Sequence, residues 1–177
     1  MMQKAVMLVI VAGTLLVNLG VAAAAVPGEA PHHIKIHNNC DFPIWVNDVV
    51  PSVDQWDAWS EISPFSWFTA ANDPVGLHGG LTQKIGLQRG TNDVLQLEVA
   101  ETPARHGTYH YDMSSIDGNP FFHVGKRVGC YPNWQEYDFQ YCAPYQTEFP
   151  CGKQVPGSFK VMHAPNTCGD IVLELCV

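Results

Sequence analysis

From Ile34 onward the chain alternates apolar and polar residues in short runs and nowhere sustains a helical period over three turns. Ile34-Lys35-Ile36-His37 predicts a first strand that ends at Asn38-Asn39-Cys40. Asp41-Phe42-Pro43 then turns the chain into a second strand, Ile44-Trp45-Val46. Two more strands, Leu81 to Leu87 and Asp93 to Val99, flank the turn Arg89-Gly90-Thr91-Asn92. Val94, Leu95, Leu97 and Val99 form an apolar run around Gln96 and Glu98. Beyond the punctuation at Thr102 to Gly107, Tyr109, Tyr111 and Met113 alternate with His110 and Asp112. Asp117-Gly118-Asn119-Pro120 is turn chemistry, because Asp and Gly accept unusual backbone angles and Pro fixes the exit. Ser158 to Met162 predicts a further strand, and Asp170 to Cys176 closes the chain with Ile171, Leu173 and Leu175 alternating. Many short strands with a turn signal about every ten residues predict an all-β sandwich or barrel.

The first 25 residues follow a different pattern. Met1 to Lys4 is a short basic leader, Ala5 to Ala22 is apolar except for Thr14 and Asn18, and Ala22 to Ala25 offers small residues for cleavage. We therefore expect a secretory signal over residues 1–25 and one domain over residues 26–177, long enough to bury a sizeable core. No second apolar run is long enough to span a bilayer, so no membrane association is expected after signal removal. The formal net charge is -8, with only 9 Lys and Arg in the chain. No basic patch is available to track phosphates, which argues against nucleic acid as a partner.

All six cysteines, Cys40, Cys130, Cys142, Cys151, Cys168 and Cys176, fall in the expected mature chain. An even count in a secreted domain predicts three disulfides, drawn from fifteen connectivities. Cys40 stands alone early and Cys176 is the penultimate residue, so a bond between them would join the terminal strands. Zinc is disfavoured because no Cys-x-x-Cys pair occurs.

The candidate chemistry centres on three carboxylates, Glu98, Asp112 and Asp117. Glycoside hydrolysis needs a proton-donating carboxyl and a second carboxylate roughly 5 to 9.5 Å away. Asp112 and Asp117, five residues apart across a turn, approach that arrangement, with Glu98 as the acid on a neighbouring strand. The competing expectation is that both aspartates shape the loop by accepting backbone N–H bonds, and turn chemistry accounts for them fully. Tyr131, Trp134, Tyr137, Phe139, Tyr141, Tyr145 and Phe149 crowd the segment threaded by Cys130, Cys142 and Cys151. They are expected to fill a disulfide-rich lobe rather than to present a sugar-stacking surface. Trp56 and Trp59 lie among polar residues and are the more suggestive ligand contacts. His32, His33 and His37 raise a copper site, but that chemistry needs histidine as the first mature residue, which cleavage after Ala25 does not give. No metal or cofactor is expected. Neither a Gly-x-Ser-x-Gly elbow nor a phosphate-binding glycine loop is present, and a Cys nucleophile is excluded if all six cysteines pair.

Asn38-Asn39-Cys40-Asp41-Phe42-Pro43-Ile44-Trp45 resembles the N-terminal strand motif of thaumatin-like proteins. Tyr111-Asp112-Met113-Ser114-Ser115-Ile116-Asp117-Gly118 resembles their Tyr-Asp-x-Ser-x-Val-Asp-Gly segment, with Leu97-Glu98 at a similar upstream distance to Leu-Ala-Glu. Thr167-Cys168-Gly169-Asp170 to Leu175-Cys176 is similar to the end of a smaller fungal branch, the Blastomyces yeast-phase-specific, or antigenic thaumatin-like, family. The resemblance implies a thaumatin-like β-sandwich with an acidic cleft and a bond between Cys40 and Cys176. In plant-type members an Arg, a Glu and three Asp line that cleft, which binds or weakly cleaves β-1,3-glucan. By position Glu98, Asp112 and Asp117 match; Lys84 is the basic residue nearest to the arginine, and no third aspartate can be placed. Where fungal relatives carry a Gly-rich turn after Ile62-Ser63-Pro64, this chain has Phe65-Ser66-Trp67. The missing Arg and Asp favour a secreted, non-enzymatic protein that binds cell-wall polysaccharide or a host protein. Lys84, Glu98, Asp112, Asp117, Trp56 and Trp59 are then its ligand-binding candidates, and a weak β-1,3-glucan hydrolase is the alternative.

Overall fold

The computed structural model describes residues 33–49, 58–70, 80–101, 108–134, 137–152, 154, 160–165 and 168–177. The expected signal over residues 1–25, the candidate Trp56 and the 155–159 stretch, where a strand was expected to begin, lie outside the described residues. Eleven strands and no helix occur among those described: β1 (Ile34–Asn38), β2 (Ile44–Val49), β3 (Trp59–Ile62), β4 (Ser66–Thr69), β5 (Leu81–Gly86), β6 (Leu95–Glu101), β7 (Thr108–Ser114), β8 (Lys126–Tyr131), β9 (Gln140–Cys142), β10 (Met162–Pro165) and β11 (Asp170–Leu175).

They form two sheets. One has five strands in the order β4-β1-β11-β8-β9, and the other six in the order β10-β7-β6-β5-β2-β3. Every pairing is antiparallel except β1 with β11, which runs parallel from Ile34 opposite Ile171 to Asn38 opposite Leu175. The alternation read from the sequence explains the layering. Ile34, Ile36, Val128, Ile171, Leu173 and Leu175 from one sheet pack against Ile44, Val46, Leu81, Ile85, Leu97, Val99, Tyr111 and Met113 from the other.

Cys40 bonds Cys176, Cys130 bonds Cys168 and Cys142 bonds Cys151. No cysteine is left to hold zinc or act as a nucleophile. The first bridge ties the two terminal strands together, as the resemblance implied. Asn38, fully buried at the end of β1, reinforces that corner. Its Nδ2 donates to the carbonyls of Phe42, Ile62 and Ser63 at 3.0 to 3.1 Å, and its Oδ1 accepts from the Cys40 N–H.

Two expectations need correction. Of the strand expected over 158–162, the described residues Lys160 and Val161 are not in a strand and Met162 opens the tenth, Met162–Pro165, in which Met162 and Ala164 reach the core while pairing with Tyr111 and Tyr109. Of the lobe aromatics, Tyr137 packs against the core and Trp134 is partly buried, but most do not fill an interior. Tyr131, Phe139, Tyr141, Tyr145 and Phe149 are all exposed, and the small interior is taken by Phe121 and the disulfides of Cys130, Cys142 and Cys151. Bridges replaced ring volume there.

Candidate functional site

The outer face of the six-stranded sheet is polar because alternation sends the apolar half of each strand inward. Register aligns Trp59, Asn47, Lys84, Gln96 and Ser114 in one row across β3, β2, β5, β6 and β7. Thr82, Glu98 and Asp112 form the next row, about 7 Å along the strands. Farther on, His110 meets His163 of the edge strand edge-on, with ring centroids 4.5 Å apart. Burial, and then the neighbouring His163, lower the His110 pKa.

Two loops fold back over this face. The turn after β5 approaches closely enough that a Cβ on Gly86 would overlap Thr91 Cγ2. The loop after β7 brings Gly118, at φ +150°, against Asp93, where a Cβ would lie 2.8 Å from the Val94 nitrogen. Asp93 fastens the two loops by accepting the Asn119 N–H at 3.1 Å. Between them opens a cavity of about 420 Å³ lined by Trp59, Lys84, Gly90, Thr91, Asn92, Val94 and Asp117.

The structure sorts the candidates into two groups on one face. Lys84 and Asp117 line the cavity with Trp59. The Asp117 carboxylate accepts from Lys84 Nζ at 3.2 Å and from Gln96 Nε2 at 2.6 Å. Glu98 and Asp112 lie outside the cavity, directly opposite each other on β6 and β7, and share a hydrogen bond. Burial is the largest cause that pushes the Asp112 carboxyl up to about 7, followed by the charge of Glu98 and the bond to it. A proton held between two abutting carboxyls relieves their repulsion. Asp112 Oδ2 is buried and has no hydrogen-bond partner among the described residues, as expected of a carboxyl that is neutral through much of the acidic range.

Neither aspartate shapes the loop as turn chemistry suggested. Asp112 belongs to β7, Asp117 is held by side chains, and the loop-shaping carboxylate is Asp93. Sequence reasoning missed Asp93, Gln96, Thr91 and Asn92. Gln96 was within reach, since it precedes Glu98 by two and must share its face. Asp93 and Thr91 act through loop contacts that no periodicity encodes. Among the described residues, no group of three or more His, Cys, Asp or Glu is arranged to hold a metal ion.

Two packed sheets, one of which pairs the terminal strands β1 and β11 and ties their ends with the Cys40–Cys176 bridge, together with a disulfide-rich lobe, define a thaumatin-like β-sandwich. The chain belongs to the Blastomyces yeast-phase-specific protein family, whose model matches residues 21–177. No curated protein matches it. Among solved structures, the protein elicitor MoHrip2 from Magnaporthe oryzae is similar at a TM-score of 0.67 and 18% identity, over 82% of this chain and 99% of that one. The thaumatin-like xylanase inhibitor TLXI is similar at a TM-score of 0.49 and 16% identity, over 84% and 100%.

Proposed function

We propose that this protein is a secreted, non-enzymatic binding protein that takes a polyhydroxylated ligand, a cell-wall β-1,3-glucan, in its acidic cleft. The observation that carries the reading is the cavity itself. Trp59 lines it together with the paired Lys84 and Asp117, and Thr91 and Asn92 add polar groups to the same wall. An aromatic face takes the C–H face of a sugar, and fixed polar groups take its hydroxyls. The carboxylate geometry supports binding over cleavage. Glu98 and Asp112 touch each other, whereas glycoside hydrolysis needs roughly 5 Å or more between the two carboxyls. Asp117 is committed to Lys84 and Gln96. Three disulfides suit an extracellular setting. An elicitor role, which is what MoHrip2 is described as having, fits a binding protein of this kind.

Calorimetric titration with soluble β-1,3-linked glucose oligosaccharides tests this, with reducing-sugar release followed in parallel. Saturable binding that weakens about tenfold or more in Lys84→Ala and in Asp117→Asn, with no sugar release between pH 4 and 8, is the expected result. Sugar release abolished in Asp112→Asn would make the protein a hydrolase instead.

A further inference from the structure

The outer face of the five-stranded sheet carries a second set of groups that the cleft does not use. One register row runs across all five strands: Trp67 on β4, His37 on β1, Glu174 on β11, Arg127 on β8 and Tyr141 on β9. Glu174 is buried at its centre, taking Arg127 Nε at 2.5 Å and facing His37 Nδ1 at 3.2 Å. Trp67 stacks flat on His37 with centroids 4.0 Å apart and planes 8° apart. Trp134 lies over the Arg127 guanidinium at 4.4 Å. Tyr131 bridges the two indoles edge-on, 5.7 Å from Trp67 and 6.1 Å from Trp134. Gly129 permits this packing, since a Cβ there would lie 3.0 Å from Trp134 and 2.9 Å from the Phe139 Cβ.

These rings are fixed in place and yet open to solvent. Trp67 is 46% exposed, Tyr131 39%, Phe139 43% and Tyr141 49%. The row from β4 to β9 spans roughly 19 Å at ordinary strand spacing. Phe65, on the turn into β4, is 68% exposed and held at φ +56°, a conformation that glycine adopts freely and a phenylalanine does not. An exposed ring kept at a strained position is unexplained by folding alone.

We propose that this face is a second binding surface, separate from the cleft, for a neutral extended polysaccharide. Three observations select that occupant. The exposed large side chains on the sheet are all aromatic, and Val172, the one aliphatic residue facing outward among the described strands, is fully buried; a lipid surface would favour exposed aliphatic side chains as well. Lys35 pairs with Asp170 at 2.6 Å, and Arg127 pairs with Glu174, so the charges on the face cancel in a chain of net charge -8. An uncharged partner is the electrostatic complement of such a face. Rings already braced by His37 and Arg127 lose little freedom on binding, which suits stacking along successive sugar rings.

The test is depletion of the purified protein from solution by insoluble β-1,3-glucan, cellulose and chitin, beside neutral phosphatidylcholine vesicles. The variants are Trp67→Ala/Tyr141→Ala, Phe65→Gly and, for the cleft, Lys84→Ala/Asp117→Asn. The expected result is retention by at least one polymer, persisting in 1 M NaCl and weakened tenfold or more by the Trp67/Tyr141 change. Phe65→Gly should weaken retention while leaving the melting temperature unchanged or higher, a combination that a merely structural role would not produce. Loss of retention only in the cleft variant, retention by none of the polymers, or preference for the vesicles would overturn the proposal. Because oligosaccharide titration reads the cleft and the Trp67/Tyr141 variant reads this face, either site can fail without the other.

Discussion

At the scale of single residues, Asp112 is the group whose chemistry departs furthest from its sequence context. Nothing in Tyr-Asp-Met-Ser announces a carboxyl raised to about 7; burial in β7 and the facing Glu98 produce it. An acid whose folded pKa lies above its unfolded value holds its proton in the native state after the unfolded chain has released it. Its contribution is therefore most favourable at low pH, declines as pH rises from about 4, and levels off above about 7. Asp112→Asn removes the titration. The variant should gain about 3 kcal/mol over wild type between pH 5 and pH 8, read by urea unfolding at both values. A difference between variant and wild type that stays constant with pH would show that Asp112 titrates normally. Lys126 shows the same physics with the opposite sign of charge. It is buried with Nζ on the Phe121 carbonyl, and desolvation lowers its pKa to about 8.

Among the elements, what the sequence made legible were the strands whose two faces differ. β1 and β5 follow their alternation almost residue for residue, because one side meets the core and the other is open; β6, β7 and β11 keep the alternation in sequence, although outer-face residues such as Asp112, Ser114, Val172 and Glu174 are buried as well. The same alternation put Lys84, Glu98 and Asp112 on one face. It carried no information about how loops return over that face, so the cavity wall made by Thr91, Asn92 and Val94, and the Asp93 contact that fastens it, were invisible. Tyr131, Phe139, Tyr141, Tyr145 and Phe149 were misread for a related reason: the sequence does not say whether a ring in or beside a strand faces a lobe interior or the open side of a sheet. Asn38 marks an element junction of the legible kind, its motif visible in the chain and its purpose visible only in the fold. Replacing it by Leu strands three carbonyls and the Cys40 N–H in a buried corner. The cost should be about 3 kcal/mol, measured by urea unfolding, and a loss under about 0.5 kcal/mol would mean that the corner does not need the amide.

On the scale of the whole molecule, the chain is closed by one long-range bond. Cys40 and Cys176 are separated by 136 residues, whereas Cys142 and Cys151 are separated by 9. Loop-closure entropy predicts a stabilisation of about 5 kcal/mol for the first and about 3 kcal/mol for the second. Removal of the terminal bridge by Cys40→Ser/Cys176→Ser should therefore lower stability by about 2 kcal/mol more than removal of the short one; equal losses would point to residual structure or native strain in place of chain entropy. Among the described residues the two outer faces differ, one polar with a cavity and one aromatic and charge-balanced. Under the two proposals, each face has its own ligand.

The most direct measurement of that assignment is amide and side-chain NMR of the protein titrated with a short, soluble β-1,3-linked glucose oligosaccharide. Shift changes are expected at the Trp59 indole, at Lys84 and along 90–94 and Asp117, with the Asp112 and Glu98 signals moving little and the oligosaccharide intact at the end. Shift changes centred on Glu98 and Asp112, accompanied by shortened sugar, would contradict that assignment.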